Sequence, residues 1–138
     1  MLKKFFIVIV TTLLLTACGG GSKPAAEITL AASDFAFNAT AITVKAGEPV
    51  QLTLKNMGQL EHDFVIEKID AETKVIKDSG SAEHHMPGMG MENDLHISAQ
   101  VGETSIIQFT VAEPGTYQFY CSVAGHKDAG MVGELIVV

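Results

Sequence analysis

The chain has 138 residues, of which 47% are hydrophobic and 18% are charged, and its formal net charge is −7. All nine of its basic residues are lysines. Because an acidic surface repels nucleic-acid phosphates, this composition argues against a role in binding nucleic acid. The length allows one domain with a hydrophobic core, and no internal repeat is evident.

The first seventeen residues have the pattern of a secretory signal peptide. Lys3 and Lys4 precede an apolar run of thirteen residues, 5–17. This run is shorter than the ~20 residues that a membrane-spanning helix needs. It ends in Leu15-Thr-Ala-Cys18, which resembles a bacterial lipobox and implies that Cys18 is lipidated and becomes the first mature residue. The alternative is an ordinary signal peptide, 1–17, followed by an incidental cysteine.

The predicted mature chain begins with a stretch rich in glycine. Residues 18–25 are typical of a lipidated flexible tether, and a single domain is predicted over residues 26–138. Loss of residues 1–17 leaves seven lysines against sixteen acidic residues, a net charge of −9. We therefore expect an exported domain, anchored by lipid to the cell membrane or an outer membrane and facing the periplasm or the cell exterior. Its charge suits docking to a basic partner.

Short alternating apolar segments predict strands throughout the domain. They cover residues 42–44, 50–55, 64–66, 107–111, 117–121 and 132–138. Gly- and Pro-containing turns separate them, and no helical period is sustained, which favours an all-β fold, an antiparallel β-sandwich with Greek-key connections. In the segment 117–121, alternate residues share one face, so the sulfur of Cys121 is expected to point into the core.

Residues 78–94 fit neither the helical nor the strand period and are interpreted as a long exposed loop. The loop contains two histidines and three methionines, namely His84, His85, Met86, Met89 and Met91. These side chains suit a weak secondary copper site. The alternative is an adaptable exposed loop without a metal, since methionine-rich segments also occur in that role. The nearby His96 is predicted to lie on a strand surface and not to be a ligand.

The C-terminal part of the chain holds a cluster of metal-binding residue types. If Cys18 carries lipid, Cys121 is an unpaired cysteine in an exported protein; the alternatives are an inert buried thiol and a metal ligand. His126 and Met131 follow it within eleven positions. Cysteine and methionine sulfur favour copper, and imidazole suits both of its oxidation states. With His62 from upstream, the set becomes two histidines, a cysteine and a weak axial methionine, the type 1 blue copper arrangement.

The spacing Cys-x4-His-x4-Met before a terminal strand, with an upstream Asn-x-Gly-x3-His, resembles the cupredoxin family, which includes the plastocyanins and azurins. The resemblance covers about residues 26–138. It implies one type 1 copper ion with Cys121 as thiolate ligand, His62 and His126 completing a trigonal set, and Met131 as the long axial ligand. The Cys-x4-His spacing is similar to azurin, whereas the gap between His126 and Met131 is similar to plastocyanin. The resemblance also implies that His126, on the loop, lies near the surface and is the route for electrons.

Two further positions depart from the family pattern. In plastocyanins and azurins, an Asn follows the first histidine and bonds a Ser or Thr that follows the cysteine. Here these positions are Asp63 and Ser122. A carboxylate can accept from the Ser122 hydroxyl and from nearby backbone N–H groups. Its negative charge would favour Cu(II) and lower the reduction potential. The alternative is that Asp63 faces solvent.

The resemblance implies a monomeric one-electron carrier, which exchanges electrons with a cytochrome or a membrane electron-transfer complex. It is not expected to be an enzyme, because four protein donors leave no open position for a substrate. A copper nitrite reductase or a dinuclear oxidase centre would need further ligands that this chain lacks. The alternative function is copper handling, meaning storage or delivery, with the His/Met-rich loop binding a second ion.

Overall fold

The computed structural model describes residues 23–80 and 95–138. The predicted signal peptide, the lipidation site Cys18 and most of the predicted tether lie outside the described residues. So does the loop segment with the candidate secondary ligands His84, His85, Met86, Met89 and Met91. Within the described part of the chain, no helix is long and apolar enough to cross a membrane.

The described residues form ten strands. They are β1 (Ala26–Ser33), β2 (Ala36–Phe37), β3 (Ala41–Val44), β4 (Val50–Asn56), β5 (His62–Ile66), β6 (Ala71–Lys77), β7 (Leu95–Ala99), β8 (Thr104–Val111), β9 (Gly115–Tyr120) and β10 (Val132–Val137). They make two five-stranded sheets, with the orders β2-β1-β4-β8-β6 and β3-β10-β9-β5-β7. The prediction of an all-β sandwich is confirmed.

The sheets are mixed rather than wholly antiparallel. Strand β1 pairs parallel to β4, and β3 pairs parallel to β10, whereas the other pairs are antiparallel. Parallel neighbours need a crossover connection, and here the chain between β1 and β4 passes through β3 of the opposite sheet. Alternation of apolar residues shows which face of a strand is buried but not the direction of its neighbour, so the sequence did not indicate these two pairs.

The core follows the alternation that the sequence predicted. In β4, Val50, Leu52 and Leu54 are at most 1% exposed, and the alternate positions of β8 that begin with Ile107 are buried in the same way. The register places Leu52 opposite Ile107, so the two strands present their apolar faces to the same core. Burying such side chains from both sheets supplies most of the stabilisation.

An aromatic cluster joins the two sheets beneath the end of β9. The ring centroid of Phe119 lies 5.0 Å from that of Phe64 and 5.4 Å from that of Phe37. Gly133 stands opposite Phe119 on β10, and a Cβ at this glycine would overlap the phenyl ring. The glycine therefore leaves the space that the ring fills, and this packing fixes the strand end from which Cys121 follows.

Candidate metal centre

The chain between β9 and β10 brings Cys121, His126 and Met131 together. Backbone hydrogen bonds close this loop on itself, because Cys121 N–H donates to Met131 O at 3.1 Å and Met131 N–H donates to His126 O at 2.9 Å. Gly125 and Gly130 have φ angles of +84° and +96°, in the left-handed region that favours glycine. The two glycines thus allow the turns of the loop that carries Cys121, His126 and Met131. Met131 is fully buried in the same hydrophobic cluster as Cys121.

The fourth side chain, His62, is held at the start of β5 by the loop before it. Asn56 is 1% exposed, and its Nδ2 donates to Leu60 O at 2.7 Å and to Ala99 O at 2.9 Å. Its Oδ1 accepts from Gly58 N–H at 2.9 Å. One buried amide therefore ties the 56–62 loop both to itself and to β7, which explains why an Asn opens the Asn-x-Gly-x3-His motif.

These elements place two imidazoles against one thiol. Cys121 Sγ lies 3.7 Å from His62 Nδ1 and 3.5 Å from His126 Nδ1. The three donor atoms all lie within 4.8 Å of one another, and the three residues are buried. Among the described residues, His62, Cys121 and His126 form the cluster of His, Cys, Asp or Glu side chains that is compact enough to hold a metal ion.

The separations fit a single small metal ion between the three atoms. Bonds of about 2.0 Å to nitrogen and about 2.3 Å to sulfur, set about 120° apart, would separate the two donors by about 3.7 Å. The observed distances of 3.7 Å and 3.5 Å match this geometry. The donor types, two imidazoles and a thiolate beside a buried methionine, are those of a copper site in electron-transfer proteins.

His126 lies beneath the exposed side chain of Phe35, so it is near the surface without being open to solvent. Its side chain is only 2% exposed, because the ring of Phe35 packs edge-on against it with centroids 4.9 Å apart. Phe35 itself is 52% exposed. The position of His126 on a loop suggested exposure, but the turn between β1 and β2, which is distant in sequence, covers it.

Asp63 lies beside the centre and is 1% exposed, so the alternative that it faces solvent is wrong. Its Oδ1 accepts from Ser122 N–H at 2.6 Å, and its Oδ2 accepts from the Ser122 hydroxyl. His96, on the outer face of β7 and partly covered, places Nε2 3.6 Å from Asp63 Oδ2. The predicted contact between Asp63 and Ser122 is therefore present, and it joins the β5 end of the site to the β9–β10 loop.

Burial is the main cause of the pKa shifts of Cys121 and His62, whereas hydrogen bonds outweigh it at Asp63. Burial raises the pKa of the Cys121 thiol to about 12. Burial also lowers the pKa of His62, and the neighbouring His126 adds to this effect, against an opposing contribution from Asp34. Burial alone would raise the pKa of Asp63, but hydrogen bonds from His96 and Ser122 hold it below the usual value. A site of this kind disfavours the free thiolate and gains from a cation that replaces the thiol proton.

Three residues at the centre were missed by the sequence reasoning. Asp34 Oδ1 lies 3.8 Å from His62 Nε2, Phe35 covers His126, and Gly58 approaches both Asp34 and His62 so closely that a Cβ would lie 2.6 Å from each. Asp34 and Phe35 belong to a turn far from the ligand motifs and carry no sequence signal. Gly58 is the glycine of the Asn-x-Gly-x3-His motif, and it was the one feature of the sequence that pointed to this close approach.

Comparisons with known proteins agree with this geometry. The family model "Copper binding proteins, plastocyanin/azurin family" matches residues 24–138. The copper-resistant cuproprotein CopI of Rubrivivax gelatinosus is 31% identical over 101 residues, 73% of this chain, and the match spans 59% of that relative. Plastocyanin A'/A'' of Nicotiana tabacum is 36% identical over 115 residues, which cover 80% of this chain and 98% of the relative.

A solved structure of auracyanin B has the same fold. It aligns with a TM-score of 0.64 and 23% identity, and the match covers 86% of this chain and 93% of that one. The family match spans nearly the whole described domain and includes the three converging donors, His62, Cys121 and His126, together with the buried Met131. The chain therefore belongs to the plastocyanin/azurin family of copper-binding proteins, and its buried cluster fits one type 1 copper ion.

Proposed function

We propose that the protein is a one-electron carrier in which His62, Cys121, His126 and Met131 hold one copper ion. The observation that supports this most is the approach of both imidazole Nδ1 atoms to Cys121 Sγ, at 3.7 Å and 3.5 Å, inside a buried site. Copper bound there would supply a Cu(II)/Cu(I) couple.

The surrounding residues would hold the copper ligands in the same positions in both oxidation states. His62 is braced by Asn56, and the 121–131 loop is closed by its own backbone hydrogen bonds. Little rearrangement of ligands between the two oxidation states makes electron exchange fast. His62 and Cys121 are 0% exposed and His126 is 2% exposed, which leaves no access for a substrate. We therefore infer that the protein is not an enzyme.

The test is the visible spectrum and the EPR signal of purified protein loaded with Cu(II). We expect an intense blue or green colour from thiolate-to-Cu(II) charge transfer. Met131→Leu should keep the colour and mainly shift the reduction potential. His96→Ala, which removes an imidazole outside the cluster, is the matched control and should leave the colour unchanged. A colourless Cu(II) form of the wild type would refute the proposal.

The second candidate is copper handling, meaning storage or delivery, and the similarity to copper-resistant cuproprotein CopI favours it. The candidate secondary ligands in the His/Met-rich loop, His84 to Met91, would then bind a further ion. Copper titration and reduction by a small exported cytochrome distinguish the candidates. Two tightly bound ions with slow electron exchange would support handling, and one ion with fast exchange would support the carrier. A His84→Ala/His85→Ala variant should lose only the second ion.

We also propose that the protein is exported, held at the cell membrane or an outer membrane by lipid on Cys18, and acts as a monomer. Its redox partner would be a cytochrome or a membrane electron-transfer complex. The lipobox-like Leu15-Thr-Ala-Cys18 and the net charge of −9 after residue 17 support this arrangement. Confining a carrier near its partner raises the effective concentration. Detergent partitioning of the wild type, compared with Cys18→Ser, tests the anchor, and loss of partitioning is expected only in the variant.

A further inference from the structure

The turn between β1 and β2 contacts both imidazoles of the centre from outside. Phe35 packs on His126, and Asp34 places Oδ1 3.8 Å from His62 Nε2. The backbone at Phe35 has a φ of +65°, which is uncommon for a residue other than glycine. The turn is nevertheless held in place by a hydrogen bond across its two ends. Ala31 N–H, before the turn, donates to Asn38 Oδ1, after it, at 2.8 Å. Two neighbouring side chains are thus directed at two different rings.

His62 Nε2 needs an acceptor. The ring is 0% exposed, and Nε2 has no hydrogen-bond partner within normal distance among the described residues. Leaving such a group unsatisfied costs about 1–3 kcal/mol. Asp34 Oδ1 faces it and is itself held in place, since it accepts from Gln59 N–H at 2.8 Å. A shift of a few tenths of an ångström would bring the carboxylate into hydrogen-bond range of the imidazole.

Gly58 keeps the approach between these two groups open. A Cβ at this position would lie 2.6 Å from Asp34 Oδ1 and 2.6 Å from His62 Nε2. Any larger side chain would therefore stand between the carboxylate and the ring or push one of them away. The absence of a side chain at Gly58 therefore allows the carboxylate of Asp34 to approach the buried ring of His62.

We propose that Asp34 is a positioning residue for His62, whose carboxylate accepts from Nε2–H and so turns the Nδ1 lone pair towards Cys121. The positioning of His62 is independent of the proposed function. Only the effect of the Asp34 negative charge on bound copper rests on it. A carboxylate partner fixes the tautomer and orientation of a ligating histidine and raises its basicity. Because a cation of higher charge gains more from that basicity, Asp34 stabilises Cu(II) relative to Cu(I). The side chain of Asp34 is 41% exposed, so water screens the effect.

The first experiment reads the tautomer of His62 by ¹⁵N NMR in the metal-free protein. The wild type is expected to hold the Nε2–H form. Asp34→Ala should give a mixture of both forms. Asp34→Asn, which keeps an oxygen acceptor, should restore the Nε2–H form. Gly58→Ala should give the same mixture as Asp34→Ala by separating the two groups. An unchanged tautomer in both alanine variants, with the fold intact by circular dichroism, would overturn the proposal.

The second experiment measures the reduction potential of the copper-loaded variants. Removing an outer partner of a metal ligand typically lowers metal affinity by about 10–100-fold. We expect this loss to fall mainly on Cu(II), so Asp34→Ala should lower the ratio of Cu(II) to Cu(I) affinity about tenfold. This corresponds to a rise of about 60 mV for one electron. Asp128→Asn is the matched control, because it removes one exposed negative charge from the ligand loop. The proposal would be overturned if the reduction potential shifted equally in Asp34→Asn and Asp128→Asn and the His62 tautomer were unchanged in Asp34→Ala. Asp34 would then act only as one more negative charge on the protein.

Failure of this inference is distinguishable from failure of the proposed function. A wild-type protein without the charge-transfer band would refute the type 1 copper carrier, but the NMR result on metal-free protein would stand by itself. Conversely, the wild type could be blue while the His62 tautomer does not depend on Asp34. That result would support the electron carrier and refute the positioning role of Asp34.

Discussion

The two halves of the metal centre are built in different ways. The ligand loop, residues 121–131, supplies three of the four candidate donors and is closed by hydrogen bonds between its own backbone groups. The opposite half, which we term the brace, consists of the 34–35 turn and the 56–63 segment. It supplies His62 and depends on contacts distant in sequence, such as Asn56 with Ala99 and Asp63 with Ser122. A local loop can be recognised from spacing, whereas the brace exists only once the sandwich has formed.

This difference separates what each half should control. The loop brings the donor types together and so determines whether a type 1 centre exists. The brace sets the orientation, charge and cover of the imidazoles and so determines how the centre is tuned. Loss of the thiolate Cys121 in the loop is therefore expected to remove the centre, whereas changes to residues of the brace other than the ligand His62 are expected to shift its properties.

The largest effect is expected from Cys121→Ser in the loop. A serine hydroxyl is a poor replacement for the soft thiolate, and it cannot give the sulfur-to-Cu(II) charge transfer. The visible band should be abolished, while far-UV circular dichroism stays that of the wild type. Absorption and EPR after Cu(II) loading measure this. A blue Cys121→Ser protein would show that the loop is not the source of the centre.

The next effect concerns the cluster that supports both halves. Phe119→Ala removes a fully buried ring that packs on Phe64 and Phe37, and the space it leaves lies beside Gly133. The free energy of unfolding should fall by about 3–5 kcal/mol. Denaturant unfolding of the metal-free protein measures it, with Tyr117→Ala, a partly buried residue of the same strand, as the control. Equal losses in the two variants would mean that the aromatic cluster is not the common support.

Most of the fold was predictable from the sequence because strand alternation records burial directly. The segments around Val50, Ile107 and Phe119 were predicted as strands and lie in strands with their apolar faces in the core. The missed strands include β6, whose residues after Ala71 are exposed at the sheet edge, and which therefore shows no alternation. The two parallel pairs were missed because a strand's own pattern carries no information about its partner's direction.

At the centre, four candidate donors were predicted from residue type and spacing. The structure brings three of them, His62, Cys121 and His126, together, and buries Met131 in the same cluster as Cys121. The cover of His126 by Phe35 could not be foreseen, because it comes from a turn about ninety residues earlier in the chain. The same holds for Asp34. Contacts between sequence-distant elements follow from the crossover between sheets, which local patterns do not encode.

A pH dependence of stability is expected from the buried thiol of the loop. Burial raises the pKa of Cys121 to about 12, above its ordinary value of 9.0. Well below pH 9 the thiol is protonated in both the folded and the unfolded chain. As the pH rises from about 9 towards 12, the unfolded chain loses its proton first, so the free energy of unfolding should fall. Chemical denaturation of the metal-free wild type across this range, relative to Cys121→Ser, isolates the thiol. Parallel pH profiles in the two proteins would contradict the expectation.

A smaller effect, on the potential alone, is expected from Asp63→Asn in the brace. The amide oxygen can still accept from Ser122 N–H, and the amide nitrogen can donate to the Ser122 hydroxyl, so the link between the halves survives. The negative charge is lost, and the ratio of Cu(II) to Cu(I) affinity should fall by up to about tenfold. Cyclic voltammetry measures the resulting rise in potential. His96→Ala is the companion variant, since it removes a neighbour of the carboxylate and should change the potential in the opposite direction. A lower potential in Asp63→Asn would contradict the assignment of tuning to the brace.

The smallest effect is expected at Phe35, where the brace covers His126. Phe35→Ala removes an aromatic contact worth about 0.5–1.5 kcal/mol and keeps the unfavourable φ of +65°. Phe35→Gly loses the same contact but relieves the backbone, which recovers about 1 kcal/mol. Denaturant unfolding of the two metal-free variants should therefore rank glycine above alanine, and both should keep the charge-transfer band when loaded with Cu(II). If alanine were as stable as glycine, the turn would carry no backbone cost. If either variant lost the band, the cover would be required for the centre itself, and the division between loop and brace would not hold.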